Sequence, residues 1–216
     1  MNMLEKCNNI FIDFDGVIVD SNKFKELAIE RSIIKISGRN QLSEKAIIYF
    51  NINAGISRKK KLSLFFEEKQ VEEIMKIYAE ECNKFFIKAL PSQGFRNFLT
   101  FIKENYKKVK IYILSGGEQK EIEIFLKKNL LLNFFQEILD SAENKSSHLK
   151  KKQVSGNDIF IGDSLNDLKA SIESGTRFIL FEEHKSLKSF PSEDVIKNNV
   201  YLRTTNFTAL MNQIIS

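Results

Sequence analysis

Cysteine, histidine, proline and tryptophan are scarce or missing in this chain, and each gap removes a class of protein. Cys7 and Cys82 are the only cysteines and stand at no metal-ligating or redox spacing. That excludes a disulfide-stapled scaffold and reads as free thiols of a reducing compartment. His148 and His184, the only histidines, likewise have no partner at ligand spacing. Two prolines and nine glycines leave no flexible linker or low-complexity segment. No apolar run nears the length of a bilayer span, and Met1 to Cys7 form no signal-like segment. No membrane partner is therefore expected, and the cytoplasm is the expected location. The absence of tryptophan beside 19 phenylalanines, with many Lys, Asn and Ile, reads as an AT-rich coding bias rather than an aromatic function.

With 216 residues, 43% of them hydrophobic, the chain can bury a substantial core, and its length allows one domain plus an insert. The net charge is +5, but the basic clusters at 58–61, 107–110 and 150–152 are scattered through different elements. No aromatic–basic interleaving accompanies them, so no nucleic-acid partner is expected. A positive field would instead help an anionic substrate to approach.

The most informative stretch begins at residue 10. Apolar residues at 10, 11, 12 and 14 make a buried strand, expected over 10–14, whose end is interrupted by Asp13 and Asp15, with Gly16 next. Burying charge is costly unless a cation or a ligand offsets it. Acids at i and i+2 share one side of a strand and can converge on one small object. A calcium loop is excluded, because Val17 and Ile18 follow, no bidentate acid stands at the right distance, and a strand precedes the acids.

A second apolar strand, 109–114, ends in Ser115-Gly116-Gly117. A hydroxyl and unhindered backbone N–H groups at a strand-to-helix junction suit a phosphate oxygen; an ordinary helix N-cap is the other reading of Ser115. A third strand, 158–161, ends in Gly162-Asp163-Ser164-Leu165-Asn166-Asp167. A helix there would hold Asp163 and Asp167 on one face, although Asp167 also reads as a first-turn acid facing the helix dipole. Lys145 lies in a polar turn before a short helix, with Lys150, Lys151 and Lys152 as competitors on what reads as a solvated face. Ligands in open α/β sheets bind outside the carboxyl ends of the strands. Three strands ending in acid, hydroxyl and acid agree with one such site.

The motifs Asp13-x-Asp15-Gly16-Val17, Ser115, Lys145 and Gly162-Asp163-Ser164-x-x-Asp167, in that order, resemble those of the haloacid dehalogenase-like superfamily of phosphohydrolases. The resemblance runs from about residue 9 to about residue 181. It implies that Asp13 attacks phosphorus to give an aspartyl-phosphate, and that Asp15 protonates the leaving oxygen and then activates water. It implies that Ser115, with Gly116, and Lys145 hold the phosphoryl oxygens. It further implies Mg²⁺ on Asp13, the Asp15 backbone carbonyl and Asp163, with Asp167 bound directly or through water. The chemistry fits these residue types: a cation removes the repulsion between carboxylate and phosphate, and a covalent intermediate divides the displacement. The second acid argues against the dehalogenase and phosphonatase branches.

Between the first two motifs, helical patterns at 23–36, 44–50, 60–67 and 71–87 resemble the helical cap of one large branch of the superfamily. Such a cap excludes water during chemistry. The expected division is a core of residues 1–21 and 89–216 with a cap of residues 22–88. Within the cap, Asn53-Ala54-Gly55-Ile56-Ser57-Arg58 resembles the substrate-contacting loop of β-phosphoglucomutase-like and phosphoglycolate phosphatase-like members. It makes Arg58 a candidate substrate contact, against the alternative of a solvated basic run at 58–61.

The expected fold is α/β: a doubly wound, mostly parallel, Rossmann-like sheet with an inserted α-helical cap. Strands are expected at 10–14, 109–114, 136–139, 158–161, 177–181 and 199–202, with a last helix over 207–215. The expected function is a Mg²⁺-dependent phosphatase acting on a small phosphorylated metabolite, as monomer or homodimer. A β-phosphoglucomutase-like phosphomutase is the alternative. A phospho-accepting regulatory module of the receiver type is a third class; it lacks the helical insert and the Gly-Asp-x-x-x-Asp element.

Overall fold

A computed structural model describes residues 3–53, 56–184 and 192–215. The chain forms two compact units, Met1–Asp20 with Leu90–Ser216, and Ser21–Ala89.

The unit Ser21–Ala89 is helical: α1 (Asn22–Ser37), α2 (Gln41–Ile52), α3 (Arg58–Leu62) and α4 (Glu68–Phe86). Val71, Ile74, Tyr78, Cys82 and Phe86 recur at helical spacing along α4 and are buried, as are Ala28, Ile29 and Ile33 on α1. The Phe24 and Phe85 rings stack between these two helices at 4.1 Å. The Asn40 side chain accepts from the Leu42 and Ser43 N–H groups and starts α2. The helix expected over 60–67 is a single shorter turn, α3, that closes at Leu62. Ser63 Oγ returns to the Lys59 carbonyl at 3.0 Å, and the Phe65 and Phe66 N–H groups both fold back to the Leu62 carbonyl. Ala54 and Gly55 of the expected loop lie outside the described residues.

The other unit carries one parallel sheet: β1 (Asn9–Ile12), β2 (Lys110–Leu114), β3 (Glu137–Leu139), β4 (Ile159–Gly162), β5 (Arg177–Phe181) and β6 (Leu202–Thr204). Their spatial order is β3-β2-β1-β4-β5-β6. Side-chain alternation sorts the sheet into two faces. Phe11, Tyr112, Phe160 and Phe178 stand in register on one, with Phe11 stacked on Tyr112 at 5.2 Å and Phe160 edge-on to Phe178 at 5.8 Å. Rows of isoleucine occupy the other: Ile10 beside Ile111 and Ile159, then Ile12 beside Ile113 and Ile161. Burial on both faces is why these strands read as unbroken apolar runs.

Helices α5 (Phe95–Asn105), α6 (Gln119–Lys128), α7 (Lys145–Lys152), α8 (Leu165–Ser174), α9 (Glu193–Asn199) and α10 (Phe207–Ile215) complete the unit. Leu149 of α7, Leu168 of α8 and Ile196 of α9 close the aromatic face. On the isoleucine face Phe207 of α10 meets Phe181 and Phe95, each at 4.7 Å. Both cysteines are buried thiols outside any disulfide. Among the described residues no helix is long and apolar enough to cross a membrane.

Two strands, the first and the last, depart from expectation by two residues or more, and the others lie within one residue of it. β1 ends at Ile12 rather than 14: the Asp13 N–H still bonds the Ile161 carbonyl at 2.9 Å, but the Phe14 carbonyl accepts from Ile18 and Val19 and closes a turn. Phe14 is apolar because it packs edge-on against Phe125 at 5.3 Å, not because it extends the strand. The last strand, expected at 199–202, is displaced because α9 runs to Asn199, with Glu193 and Asp194 suiting its first turn.

At the amino-terminal end of the central strands, the fully buried Asp158 gathers the chain. Its carboxylate accepts from the Asn8 and Asn9 N–H groups and Asn9 Nδ2, all at 3.0 Å, and from the Val154 N–H at 2.7 Å. Replacing it with alanine strands these buried donors, so Asp158→Ala is expected to cost about 3 kcal/mol. Urea denaturation would register this as a lower midpoint. An unchanged midpoint would show that the donors find other partners.

Candidate active site

In sequence order the sheet steps outward from β1 to β2 and β3, then returns to β4 on the other side of β1. This reversal opens a crevice beyond the carboxyl ends of β1 and β4, the usual ligand position in such sheets. Asp13 directly follows β1, and Asp163 directly follows β4. Asp167 lies in the first turn of α8 and comes back over the end of β4. Carboxylate oxygens of Asp13, Asp163 and Asp167 lie within 4.8 Å of one another, and all three residues are buried.

Lys145 supplies the opposing charge. It opens α7, which Asn144 caps by accepting from the Ser147 N–H at 2.8 Å. A lysine at a helix N-terminus is disfavoured by the dipole, and here two carboxylates outweigh that. Its Nζ lies 2.7 Å from Asp13 Oδ1 and 2.5 Å from Asp167 Oδ1. Lys151 and Lys152 instead pair with Glu143 and Glu137, and Lys150 is exposed.

Asp167 is held at both oxygens. Oδ1 takes Lys145, while Oδ2 accepts from Ser164 Oγ at 2.6 Å and from the Ser164 N–H at 3.2 Å. Ser164 Oγ in turn accepts from the Asp167 N–H, which forms a reciprocal cap at the start of α8. Gly162 makes this fold-back possible. A Cβ there would sit 2.5 Å from Asp167 Cβ and 2.8 Å from its Cγ. Neither Gly162 nor Ser164 received a role from the sequence, although a serine three residues before an acid is a recognisable capping signal.

The remaining candidates are placed as follows. Asp15 is half-buried in the turn after Asp13, where Gly16 takes φ 83° and its N–H bonds the Val19 carbonyl at 2.8 Å. Asp13 and Asp15 therefore converge through a turn, not through the alternation of a strand. Ser115 directly follows β2, the strand paired with β1, with its N–H on the Leu139 carbonyl at 2.9 Å. Its Oγ accepts from the Gly117 N–H at 2.9 Å, whereas α6 begins only at Gln119 with Glu118 in the capping position. Ser115 is thus not that helix's N-cap. Gly116 is exposed, and a Cβ added there would meet nothing within 4 Å. Arg58 belongs to the helical unit, where its guanidinium lies over the Tyr78 ring at 4.9 Å from the centroid.

The electrostatics follow from burial and crowding. Burial, with the Asp167 charge added, raises Asp13 from 3.8 to about 7, against the pull of Lys145. Burial and the charges of Asp13 and Asp167 raise Asp163 well above the ordinary carboxylate range. For Lys145, burial works downward, but Asp13 and Asp167 prevail and hold it above the usual lysine range. Asp13 and Asp163 both stay raised against the pull of Lys145, so its ammonium does not offset the crowding. This buried, oxygen-rich cluster fits a hard divalent cation such as Mg²⁺.

Comparison with known proteins agrees with this geometry. The family model for haloacid dehalogenase-like hydrolases matches residues 10–181, and the chain belongs to that family. No curated protein matches the sequence significantly. Among solved structures, a predicted phosphoglycolate phosphatase from Haemophilus somnus superposes with a TM-score of 0.72 at 13% identity, covering 97% of this chain and 98% of that one. A haloacid dehalogenase-like family hydrolase from Streptococcus pneumoniae gives 0.68 at 18% identity, covering 96% and 98%. CbbY from Rhodobacter sphaeroides, solved with phosphate, gives 0.71 at 13% identity, covering 94% and 96%. At these identities the likeness establishes the fold.

Because folding raises the Asp13 pKa, its contribution favours the folded state fully below pH 4 and is lost as pH rises to about 7. In chelated buffer, the melting temperature of wild type relative to Asp13→Asn is expected to fall across that window. Added divalent cation should raise it, more at pH 7 than at pH 5. A difference that is flat with pH and indifferent to cation would contradict this electrostatic picture.

Proposed function

We propose that this hydrolase is a Mg²⁺-dependent phosphatase that cleaves a small phosphomonoester through a phosphoenzyme on Asp13. The observation that carries the reading is Lys145 Nζ at 2.7 Å from Asp13 Oδ1, within a cluster that also buries Asp163 and Asp167. Asp13, Asp163 and the Asp15 carbonyl would hold Mg²⁺, with Asp167 behind a water because its oxygens already serve Lys145 and Ser164, and the ion would offset the anion–anion repulsion.

In the first half, an Asp13 carboxylate oxygen forms a bond to phosphorus while the ester P–O bond breaks. Asp15 donates its proton to the departing alkoxide, which leaves as an alcohol. Lys145 offsets charge on the equatorial oxygens, and the Ser115 hydroxyl and Gly116 N–H hold others. In the second half, Asp15 takes a proton from water as its oxygen bonds phosphorus. The Asp13–phosphorus bond then breaks, releasing inorganic phosphate and restoring both carboxyl groups. Metabolites of this kind, and two buried thiols, suit a cytoplasmic enzyme. The phosphomutase alternative draws no support from the relatives' descriptions.

Arg58 is assigned to a second anionic or hydroxyl group of the substrate, with the helical unit serving as cap. A guanidinium contact of this sort is worth roughly 1.5–3 kcal/mol.

A panel of phosphorylated metabolites with Mg²⁺ should reveal phosphate release that is lost on chelation and reduced about 10³-fold or more in Asp13→Asn. Release that persists in both controls would refute the mechanism. For the best substrate, Arg58→Ala should raise KM about tenfold or more while sparing p-nitrophenyl phosphate; equal effects on both would remove Arg58 from the substrate site.

A further inference from the structure

Ser92 and His184 lie outside the four motifs, yet both act on the turn that carries Asp15. Ser92 is buried where the chain has just re-entered the sheet unit. Its Oγ donates to the Val17 carbonyl at 2.6 Å, and its N–H donates to the Ile18 carbonyl at 2.9 Å. Those carbonyls belong to the tight loop in which Gly16 bonds Val19, and Val19 bonds back to Phe14. One residue thus caps two successive peptide groups immediately beyond Asp15.

His184 completes the arrangement from the end of β5. Its Nε2 lies 2.8 Å from Ser92 Oγ. A serine hydroxyl has one proton, and here it goes to Val17, so the imidazole must be the donor to Ser92. That requirement places a hydrogen on Nε2. The neighbouring Glu183 secures the same segment by accepting from the Gln93 N–H at 3.0 Å. The charged groups facing the ring are Asp20, 3.8 Å from Nδ1, and Glu183, 3.7 Å from Nε2.

We propose that Ser92 and His184 are positioning residues that hold the Asp15 turn in place for proton transfer to the leaving group, through the chain His184 to Ser92 to the Val17 carbonyl. The proposal rests on the acid–base role assigned to Asp15 above. Asp13 is held independently, by its backbone bond to Ile161 and by Lys145. Loosening the turn also shifts the Asp15 carbonyl assigned to Mg²⁺, so at saturating Mg²⁺ the loss falls on acid catalysis rather than on nucleophilic attack. The covalent chemistry is unchanged: Asp13 bonds phosphorus, the ester oxygen departs, and the Asp15 proton goes to that oxygen.

The test is the single-turnover rate of phosphoenzyme formation with two substrates, each at saturating Mg²⁺. One is the best alkyl phosphate of the panel, whose leaving group needs a proton; the other is dinitrophenyl phosphate, whose leaving group does not. In Ser92→Ala and in His184→Leu the alkyl substrate should react about tenfold or more slowly, while the aryl substrate stays within about twofold. Ser92→Thr and His184→Gln, which keep the hydroxyl and the donor, should recover most of the alkyl rate. Melting curves identify the variants that fold, and either substitution alone suffices. Equal slowing of both substrates, or of neither, in a folded variant would overturn the positioning role. Asp15→Asn serves as the reference: if it too slows both substrates equally, the acid–base assignment of Asp15 fails, and the proposal falls with it for that separate reason.

Discussion

The ammonium of Lys145 is what allows Asp13 and Asp167 to be buried side by side. Without it, three carboxylates within 4.8 Å would lose the ammonium that opposes their repulsion. Its reach explains several features at once. Asp167 must fold back over the end of β4, which demands a glycine at 162, and Ser164 must hold the second Asp167 oxygen. Asp13 and Asp163 stay raised against its pull, and the proposed divalent cation would offset the crowding that is left. A fully neutralised cluster would be a structural ion network with little to offer a ligand.

The sheet supplies the rigidity that such a cluster requires. Strands β1 and β4 are the central pair, buried on both faces by in-register aromatic and isoleucine rows. Asp158 ties them at the amino end, so the acids at the opposite end project from a clamped frame. Functional groups beyond strand ends can then sit on short turns without losing definition. The Asp15 turn lies beyond the last residue of β1, and it is the turn that Ser92 caps.

The doubly wound α/β class was legible from the sequence because strands buried on both faces leave unmistakable apolar runs. The central strands lie where those runs predict, and the last helix occupies 207–215 as expected. Local apolar pattern failed where burial came from another source. Phe14 extends the run of β1 but packs in a turn against Phe125. Leu64 to Phe66 continue a helical pattern, but the chain there folds back on Leu62. The convergence of Asp13, Lys145 and Asp167 depends on side chains separated by 132 and 22 positions, which no local pattern contains. The motifs indicated which residues to inspect, and the register of β1 with β4 explains how they meet. The contacts of Ser92 and His184 had no sequence signal at all, because each is unremarkable in its own segment.

The central claim is that Asp13 carries the phosphoryl group. Acid-quenching the enzyme during turnover, followed by peptide mapping by mass spectrometry, tests it most directly. A transient, acid-stable and base-labile phosphoryl adduct on the peptide containing Asp13, absent from Asp13→Asn, is the predicted result. Steady phosphate release with no adduct on that peptide at any quench time, or an adduct on another residue, would contradict it.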